Sequence, residues 1–593
     1  RTFDALDEVT PANIEAFMSR VYGALSTGVH SQPNGRVAWG DVGAGTGPAN
    51  LARKLSEGRT LVFKDADARA DYHGEFGSGN LMNTVVQTFE NASRSSALMQ
   101  VWGPNPEAMY KAVKDAAMER AAKRHDTAAV RMLSRDFDDK LFDALTGKLS
   151  ADARQKIGGW FGNITYGQMT VWAQALQTMS KLGGVVLSSV PDLASNAAVL
   201  RHNGVGLFES YGNQLAAILP NKGRRDSASL AGAGIDGLLG SVAARWNAMD
   251  LGTGRAARMV DFFHKANFLQ WWTEGMKSGV STLLTHNLGR NANVPFTQLD
   301  GRLQRTMARY GITPADWDAA RKAAGKAPDD RVHVLPAMIA DDKVRYKFAT
   351  YISDQVRDAM NEPDLYSRTF VAGGQQAGTP MGSAIRLLMQ FKTYPITFTR
   401  RVMAREVWNP RAETGGADVG GLAHLIVATT LLGYAAMEMK QLARGRDPRT
   451  ANADKPGDYA KLVIAAMQQG GGFGLYGDFL FGQNNRFGSG PVMSLFGPTA
   501  STAEEAAKTL LQLRDWIAAG DERAGKDALS GALGLVRDNT PFVNMFYARF
   551  ALDQLIWYRL QEAMNPGYLS RYEERMRREN DVTFMLSPQA SPY

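Results

Sequence analysis

Cysteine does not occur in the 593 residues. Its absence excludes a disulfide framework, a thiolate metal site and a cysteine nucleophile. Metal-binding spacing is missing too, because the sequence has no HExxH motif and no two of its eight histidines stand three or four residues apart. A P-loop and a Gly-x-Ser-x-Gly nucleophile elbow are also absent. We therefore predict no catalytic residue, no metal site and no cofactor in this chain.

Sustained alternation of apolar and polar residues is scarce, which argues against a doubly wound sheet and against an all-β domain. Helix signals are frequent by comparison. Asn105 and Pro106 form an N-cap and first-turn pair before a run rich in Ala, Met, Lys and Glu. A second helix is predicted from the capping-box spacing of Thr502 and Glu505 to a stop at Gly520. The predicted fold class is mainly α, an elongated helical protein of several subdomains with little or no β-sheet.

Glycine and proline cluster into linkers near residues 31–48, 219–254, 372–382, 409–421 and 470–498. A chain of this length exceeds what one compact core usually holds. We predict an N-terminal helical or linker segment at 1–58, a helical domain at 59–220, a central helical domain at 221–383, a basic and apolar segment at 384–500, and a C-terminal helical domain at 501–593. The first residue is Arg1 and not Met, which favours a processed product or a piece of a longer chain.

Positive charge exceeds negative charge by a small margin. Lys and Arg number 67 against 59 Asp and Glu, which gives a net charge of +8. Such an excess suits DNA or an anionic membrane surface, although many soluble proteins of this size carry as much. One basic segment has a single acid among its five cations, which are Lys392, Arg400, Arg401, Arg405 and Arg411. We predict that these side chains contact DNA phosphates or lipid headgroups, with a solvated helix face as the alternative.

Three uncharged runs are unusually apolar. Residues 419–437 contain no Asp, Glu, Lys or Arg, and the run approaches the roughly 20 residues that a membrane-spanning helix needs. The predicted membrane contacts in this run are Leu422, Leu425, Ile426, Val427, Leu431 and Leu432. The run at 462–477 contains two glutamines and three consecutive glycines, and it is better suited to a loop or a re-entrant turn. The run at 182–190 is too short to cross a bilayer. The alternative for all three is a buried helix or core segment.

Aromatic residues are concentrated at 262–272, where Phe262, Phe263 and Phe268 precede Trp271 and Trp272. This spacing predicts a helical stripe that packs into the core. The alternative is an aromatic belt at a membrane interface, where rings with one polar edge are common. Of the two, the core stripe is the preferred interpretation.

Two short motifs are similar to catalytic elements. Residues 41–47 read DVGAGTG, like the glycine-rich turn of class I methyltransferases, but residues 37–39 supply only a short strand before it and no second strand follows. A Gly-rich linker is the preferred interpretation. Glu209 followed by Ser210 matches the pair of lytic transglycosylases, in which glutamate protonates a glycosidic oxygen. The companion Gly-Leu-Met-Gln element is missing, so a chance match is preferred.

Three further segments carry a family resemblance. They are LVFKDADARADYHGEFGSGNLMNTVVQTFENASRSSALMQVWGPNPEAM at 61–109, LLMQFKTYPITFTRR at 387–401, and the region 541–586 with ALDQLIWYRLQEAMNPGYLSRYEERMRREND. Together they hold about a fifth of the residues. They resemble segments of the large internal virion proteins, or ejection proteins, of short-tailed bacteriophages and of the related phage polyvalent proteins.

This resemblance implies a protein that is stored in the virion interior near the portal and core and is expelled with the double-stranded viral DNA. It implies reassembly with other ejection proteins, as an oligomer, in the host periplasm and inner membrane. There the chain would form part of a conduit for DNA across the cell envelope. The resemblance supplies no catalytic residue for this chain, although longer relatives carry a lytic transglycosylase domain elsewhere.

Two other functions stay open at this point. One is a cell-wall-degrading virion enzyme, similar to lytic transglycosylases, with Glu209 as its general acid. The other is an intracellular polyvalent protein of a mobile element that acts on host nucleic acid without entering a virion.

Overall fold

The computed structural model describes residues 64–68, 70–71, 81–134, 136–159, 162–219, 221–232, 255–407, 417–451, 457–471, 497–520 and 522–588. The predicted segment at 1–58, the motif at 41–47 and Arg411 lie outside the described residues. Helices dominate the described part of the chain, and the sheet in it has two strands. The predicted mainly α fold class is confirmed. The chain divides into two compact units, with the boundary after Phe142.

In the first unit the described helices are α1 Leu81–Trp102, α2 Pro106–Lys123, α3 Thr127–Leu133 and α4 Asp136–Leu145, the last of which runs past the boundary. The predicted helix after Asn105 is confirmed as α2, with its proline in the first turn. Three aromatic side chains of this unit pack against one another. Tyr110 stacks on Phe142 with ring centroids 4.2 Å apart, and Trp102 meets both rings edge-on.

The second unit begins with helices and continues into the sheet. The described helices before the sheet are α5 Tyr166–Lys181, α6 Val185–Ser188, α7 Asp192–His202, α8 Leu207–Ile218, α9 Lys222–Leu230, α10 Arg255–Ala266, α11 Leu269–Arg290, a 3-10 turn Phe296–Gln298, α12 Gly301–Arg309 and α13 Pro314–Arg321. The sheet pairs β1 Ala324–Lys326 with β2 Val332–Val334 in antiparallel register, with Gly325 opposite His333.

More helices follow the sheet. They are a 3-10 turn Pro336–Met338, α14 Asp342–Ala359, α15 Leu365–Val371, α16 Pro380–Leu388, α17 Thr393–Thr397, a π-helical turn Phe398–Met403, α18 Ala404–Val407, α19 Val419–Ala443, α20 Asp458–Gly470, α21 Gly497–Ala519, α22 Glu522–Asn539, α23 Arg549–Leu552, a π-helical turn Asp553–Trp557, α24 Tyr558–Met564 and α25 Tyr568–Asn580.

Polar residues fix where several of these helices begin. Thr165 and Gln168 form a capping box at the start of α5, in which each side chain bonds to the backbone N–H of the other residue. Thr313 and Asp316 do the same for α13. Asp418 precedes α19 and accepts a hydrogen bond from the N–H of Gly421. Such caps satisfy backbone donors that have no partner inside the helix.

The main core of the second unit surrounds α7 and α11. α7 is buried along nearly its whole length, and Ala194, Ala197 and Ala198 let neighbouring helices approach its backbone closely. The large apolar side chains that α11 and α14 bury in this core include Met276, Leu283, Leu284, Phe348 and Tyr351. Burial of one such side chain stabilises the fold by about 1.5–3 kcal/mol. The core therefore fixes α7 and the polar side chains at its C-terminal end.

The helix predicted from Thr502 to a stop at Gly520 is confirmed as α21, but its start is wrong. It begins at Gly497, and the hydroxyl of Thr502 donates to the side chain of Asn539 in α22 instead of capping α21. Residues 462–470, for which a loop or re-entrant turn was predicted with a buried helix as the alternative, belong to helix α20. Its glycine at 470 serves as a point of close helix packing, as described below.

The predicted aromatic core stripe is correct for some residues and wrong for others. Phe263 and Trp272 are buried in the core. Phe262, Phe268 and Trp271 are instead exposed by 63%, 47% and 41%. Phe262 is exposed because it neighbours the buried Phe263 in α10 and so lies on another face of the helix. Phe268 takes a left-handed backbone conformation between α10 and α11, where the chain changes direction. The interpretation of 182–190 as a core segment is confirmed, since Leu182, Val185 and Val186 are buried there.

His264 is a buried titratable group in the last turn of α10. It is 3% exposed, and its Nε2 has no hydrogen-bond partner among the described residues. Burial lowers the pKa of His264 from 6.5 to about 4, while the carboxylate of Asp261 opposes the shift. The folded protein therefore holds this imidazole neutral at a pH where the unfolded chain has begun to bind a proton.

We expect this difference to make folding sensitive to mild acid. A lowered histidine pKa gives stability that is complete above the unfolded value near 6.5 and is lost as the pH falls toward about 4. Between about pH 7 and about pH 5.5 the free energy of unfolding should fall by about 1 kcal/mol. Urea unfolding at both pH values measures this fall in the free energy of unfolding. The His264→Gln variant should lose this part of the pH dependence, and an unchanged difference in that variant would contradict the assignment.

Candidate functional site

The basic segment predicted to contact DNA or lipid lies against an acidic residue of the same unit. Arg401, in the π-helical turn, and Arg405, in α18, both form ion pairs with Asp358 of α14. The Arg405 Nη2 atom lies 3.1 Å from a carboxylate oxygen, and Arg405 also donates to the side chain of Gln355 at 3.2 Å. Asp358 is buried, so this carboxylate meets both guanidinium groups away from water.

The remaining cations of the basic segment have different surroundings. Arg400 is partly exposed, pairs with Asp364 at 3.1 Å and lies over the ring of Tyr366, 3.7 Å from its centroid. Lys392 is buried next to the start of α17. The structure therefore brings Arg400, Arg401 and Arg405 to one acidic region of the protein. Contact of the segment with DNA or lipid stays a prediction.

A second group of charged side chains joins α7, α12 and α18 to the start of α19. This Glu406 cluster consists of Arg201, His202, Arg302, Glu406 and Asp418. Glu406 is fully buried; its two oxygens lie 3.2 Å from Arg201 Nη1 and 2.8 Å from His202 Nε2. Arg201 also pairs with Asp418, and Arg302 lies 3.6 Å from the same carboxylate. The cluster holds the N-terminus of α19 against the main core.

The protonation states in the Glu406 cluster follow from burial and from these partners. Burial lowers the pKa of His202, although the hydrogen bond to Glu406 raises it. Burial alone would raise the pKa of Asp418. The N–H of Gly421 and the charge of Arg201 nevertheless hold it below its ordinary value. Both carboxylates of the cluster thus face donors, as buried charges require.

α19 exposes an apolar face along its first four turns. The exposed side chains recur at helical spacing and form what we call the α19 stripe, which consists of Val419, Ala423, Val427, Leu431 and Tyr434. The next position on this face is Glu438. In the described part of the chain, α19 is the one helix long and apolar enough to cross a membrane. Only 28% of its most apolar window is buried, whereas a core helix of a soluble protein is mostly buried. Its 25 residues span about 37 Å but include Glu438 and Lys440, and the 19 uncharged residues span about 28 Å, close to the roughly 30 Å of a bilayer core.

The opposite face of α19 packs closely on α20 through small residues. A side chain at Gly433 would collide with the backbone carbonyl of Ala466, and one at Gly470 would collide with the carbonyl of Thr429. Glycine at both positions therefore lets the two backbones touch, as small residues do where membrane helices pair. The six predicted membrane contacts divide between the two faces. Val427 and Leu431 are exposed, Leu425 is fully buried, and the other three are partly buried.

Sequence reasoning missed the carboxylates that neutralise the basic segment. They are Asp358, which pairs with both Arg401 and Arg405, and Asp364, which pairs with Arg400. Asp354 and Asp358 stand one turn apart on α14, and Arg401 and Arg405 show the same spacing. Two helical segments with opposite charges at i and i+4 are a signal that could have suggested the pairing. Glu362, just after α14, forms a buried ion pair with Lys277 of α11 at 2.6 Å.

The structure places Glu209, the residue considered as a general acid, in the first turn of α8. Its carboxylate accepts a hydrogen bond from Arg290 Nη2 at 3.1 Å. A general acid must direct its carboxyl at the glycosidic oxygen, whereas the carboxyl of Glu209 is engaged by a half-exposed arginine. The geometry thus offers no observation in favour of a muralytic site at Glu209.

Comparison with known proteins finds no protein-family model, no curated protein and no solved structure that matches this chain. The functional inference therefore depends on the contacts and exposed faces of the chain itself and on the resemblance of three short segments. Among these features the α19 stripe is the most unusual for a protein surface in water.

Proposed function

We propose that this chain is an internal virion protein of a short-tailed bacteriophage, expelled with the genome, and that α19 carries it into the host inner membrane. The observation that carries the proposal is the uncharged, exposed α19 stripe. Water-exposed Val427 and Leu431, at 58% and 65% exposure, gain free energy when lipid covers them. The proposed partners are viral DNA, other ejection proteins and further copies of this chain.

The charges around α19 agree with insertion into an anionic membrane. Its uncharged run is followed by Glu438 and then by four cations, Lys440, Arg444, Arg446 and Arg449. The basic segment precedes α19, so cations flank the run on both sides. Anionic headgroups attract positive residues at either end of a membrane span.

A helical chain also suits the rearrangement that ejection requires. Helices satisfy their backbone hydrogen bonds locally, so they keep them when packing partners change. In α19 and α20 the small-residue contact through Gly433 and Gly470 can persist in lipid, because it depends on close backbone approach and not on exclusion of water. We propose that the two helices enter the membrane as a pair and that several copies of the chain contribute to the conduit for DNA.

Mass spectrometry of purified, nuclease-treated phage particles tests this proposal. The chain should be present in full particles, be lost from particles that have released their genome, and appear in the membrane fraction of freshly infected cells. The major capsid protein, which stays with the emptied particle, is the internal reference. Absence of the chain from full particles would contradict a virion role and would favour an intracellular protein of a mobile element.

A further inference from the structure

A cleft lies at the C-terminal end of α19. It has a cavity volume of about 80 Å³ and opens to solvent between the end of α19, the turn after α5 and the segment 544–549. Four cations line it, and we call it the cation cleft: Lys181, Lys440, Arg444 and Arg549. No acidic residue lines it.

Arg444 is the most unusual of these cations. Among the described residues no carboxylate lies within ion-pair distance of its guanidinium, and the nearby charges are those of other arginines. The charge of Arg549, burial and the charge of Arg446 lower the pKa of Arg444 from its ordinary value to about 9. The guanidinium of Arg444 is therefore held at a position where its positive charge is disfavoured.

The acids near the cation cleft act on Lys181 and Arg549 and not on Arg444. Glu505 and Asp538 lie near Lys181 and favour its charge. Asp553 accepts two hydrogen bonds from Arg537, at 2.9 and 2.8 Å, and Arg549 reaches the same carboxylate only at 3.5 Å. Arg446 bonds to the hydroxyl of Tyr572, which carries no charge. Positive charge therefore exceeds negative charge around the cleft, and a bound anion would offset the repulsion.

Helix ends alone do not explain this arrangement. Lys181 and Lys440 each stand in the last turn of a helix, where the carbonyl dipole favours a cation. That effect accounts for one cation at each end. It does not account for the convergence of Arg444 and Arg549, from different elements, on one cleft. Gly445 enables that convergence, because its positive φ of 67° turns the chain and its lack of a side chain admits the ring of Phe550.

The rest of the lining is apolar, with one unsatisfied polar atom. Leu182, Val185 and Phe546 form walls beside the cations. Asn544 is buried, and its Oδ1 has no hydrogen-bond partner, so it is available to a hydroxyl donor. We propose that the cation cleft binds a phosphate group, with Arg444 as its main ligand. The apolar walls contact the rest of the molecule that carries the phosphate. Two sources supply such a group, an anionic phospholipid headgroup and free phosphate. The lipid source rests on the proposed insertion of α19.

Thermal unfolding of the full chain with inorganic phosphate tests the cleft directly. Phosphate should raise the unfolding temperature relative to chloride at equal ionic strength, because a ligand of the folded state stabilises it. The Arg444→Gln variant should need about tenfold more phosphate for the same rise, whereas Lys343→Gln, which removes an exposed cation of α14, should respond like the parent. In chloride alone Arg444→Gln should unfold no earlier than the parent, since it removes repulsion. Equal phosphate responses of all three proteins would overturn the proposal.

Lipid vesicles then identify the source of the phosphate. Vesicles of phosphatidylglycerol and of phosphatidylcholine are compared with the parent and Arg444→Gln proteins. If the lipid headgroup is the ligand, the parent binds phosphatidylglycerol more tightly and the variant loses about tenfold of that preference. A phosphate response without vesicle binding keeps the cleft and contradicts membrane insertion. Vesicle binding that Arg444→Gln leaves unchanged, together with no phosphate response, keeps insertion and contradicts the cleft.

Discussion

Replacing Val427 with aspartate lowers the partition of the chain into phosphatidylglycerol vesicles by about a hundredfold. This is the expected result because Val427 lies in the middle of the α19 stripe, and a carboxylate near the centre of a spanning helix costs about 2.5–3.5 kcal/mol. The residue is exposed, so its replacement should change the free energy of unfolding in buffer by no more than about 0.5 kcal/mol. Vesicle sedimentation and urea unfolding give the two quantities.

Val536 of α22 provides a matched control for this substitution. The two valines are exposed by 57% and 58%, both lie on helices, and Val536→Asp adds the same negative charge. Repulsion by the anionic vesicle surface is therefore common to both variants. Equal loss of binding in the two would mean that net charge, and not the α19 stripe, governs attachment to lipid.

The Asp358→Asn variant should lose about 3–5 kcal/mol of unfolding free energy. Asp358 is buried and is the shared partner of Arg401 and Arg405, so the amide leaves two guanidinium groups without their carboxylate. Urea unfolding followed by circular dichroism measures the loss. The control is Asp318→Asn, which removes a more exposed ion pair with Arg321 and should cost about 0.2–1 kcal/mol.

This substitution also bears on the basic segment as a contact for DNA. If Asp358→Asn costs as little as Asp318→Asn, the arginines do not depend on their internal partner, and the predicted phosphate contacts become the better explanation of their charge. A large loss would mean that Arg401 and Arg405 stabilise the fold. Contacts with DNA phosphates would then have to come from other cations.

The helical fold and the candidate span could be predicted from the sequence because both depend on local features. Helix caps and the 19 uncharged residues at 419–437 are visible in the chain itself. Which side of α19 is exposed could not be predicted, since that depends on α20. For α20 a helix was only the alternative to a loop, because Gly470 indicates a helix breaker when it is read alone. In the structure it is the position at which the backbone of Thr429 approaches.

The charged groups of the site illustrate the same limit over longer distances. The five cations of the basic segment are visible in the sequence, but their partners are not. Asp358 precedes Arg405 by 47 positions, and Arg201 precedes Glu406 by 205. Charge pairs this far apart become neighbours only after the core around α7 and α14 has formed. The cation cleft was missed for the same reason, because its lining comes from three separate parts of the chain.

The close packing of α19 on α20 has a consequence for mutational tolerance. At Gly433 and Gly470 even alanine would have to push two backbones apart, so a change at either position is tolerated only if the helices separate. If lipid covers the α19 stripe as proposed, many apolar side chains serve equally well there, because lipid imposes no particular shape. On the side of α19 that faces α20, selection therefore acts on the size of the side chain. On the α19 stripe, if lipid covers it, selection acts only on the polarity of the side chain.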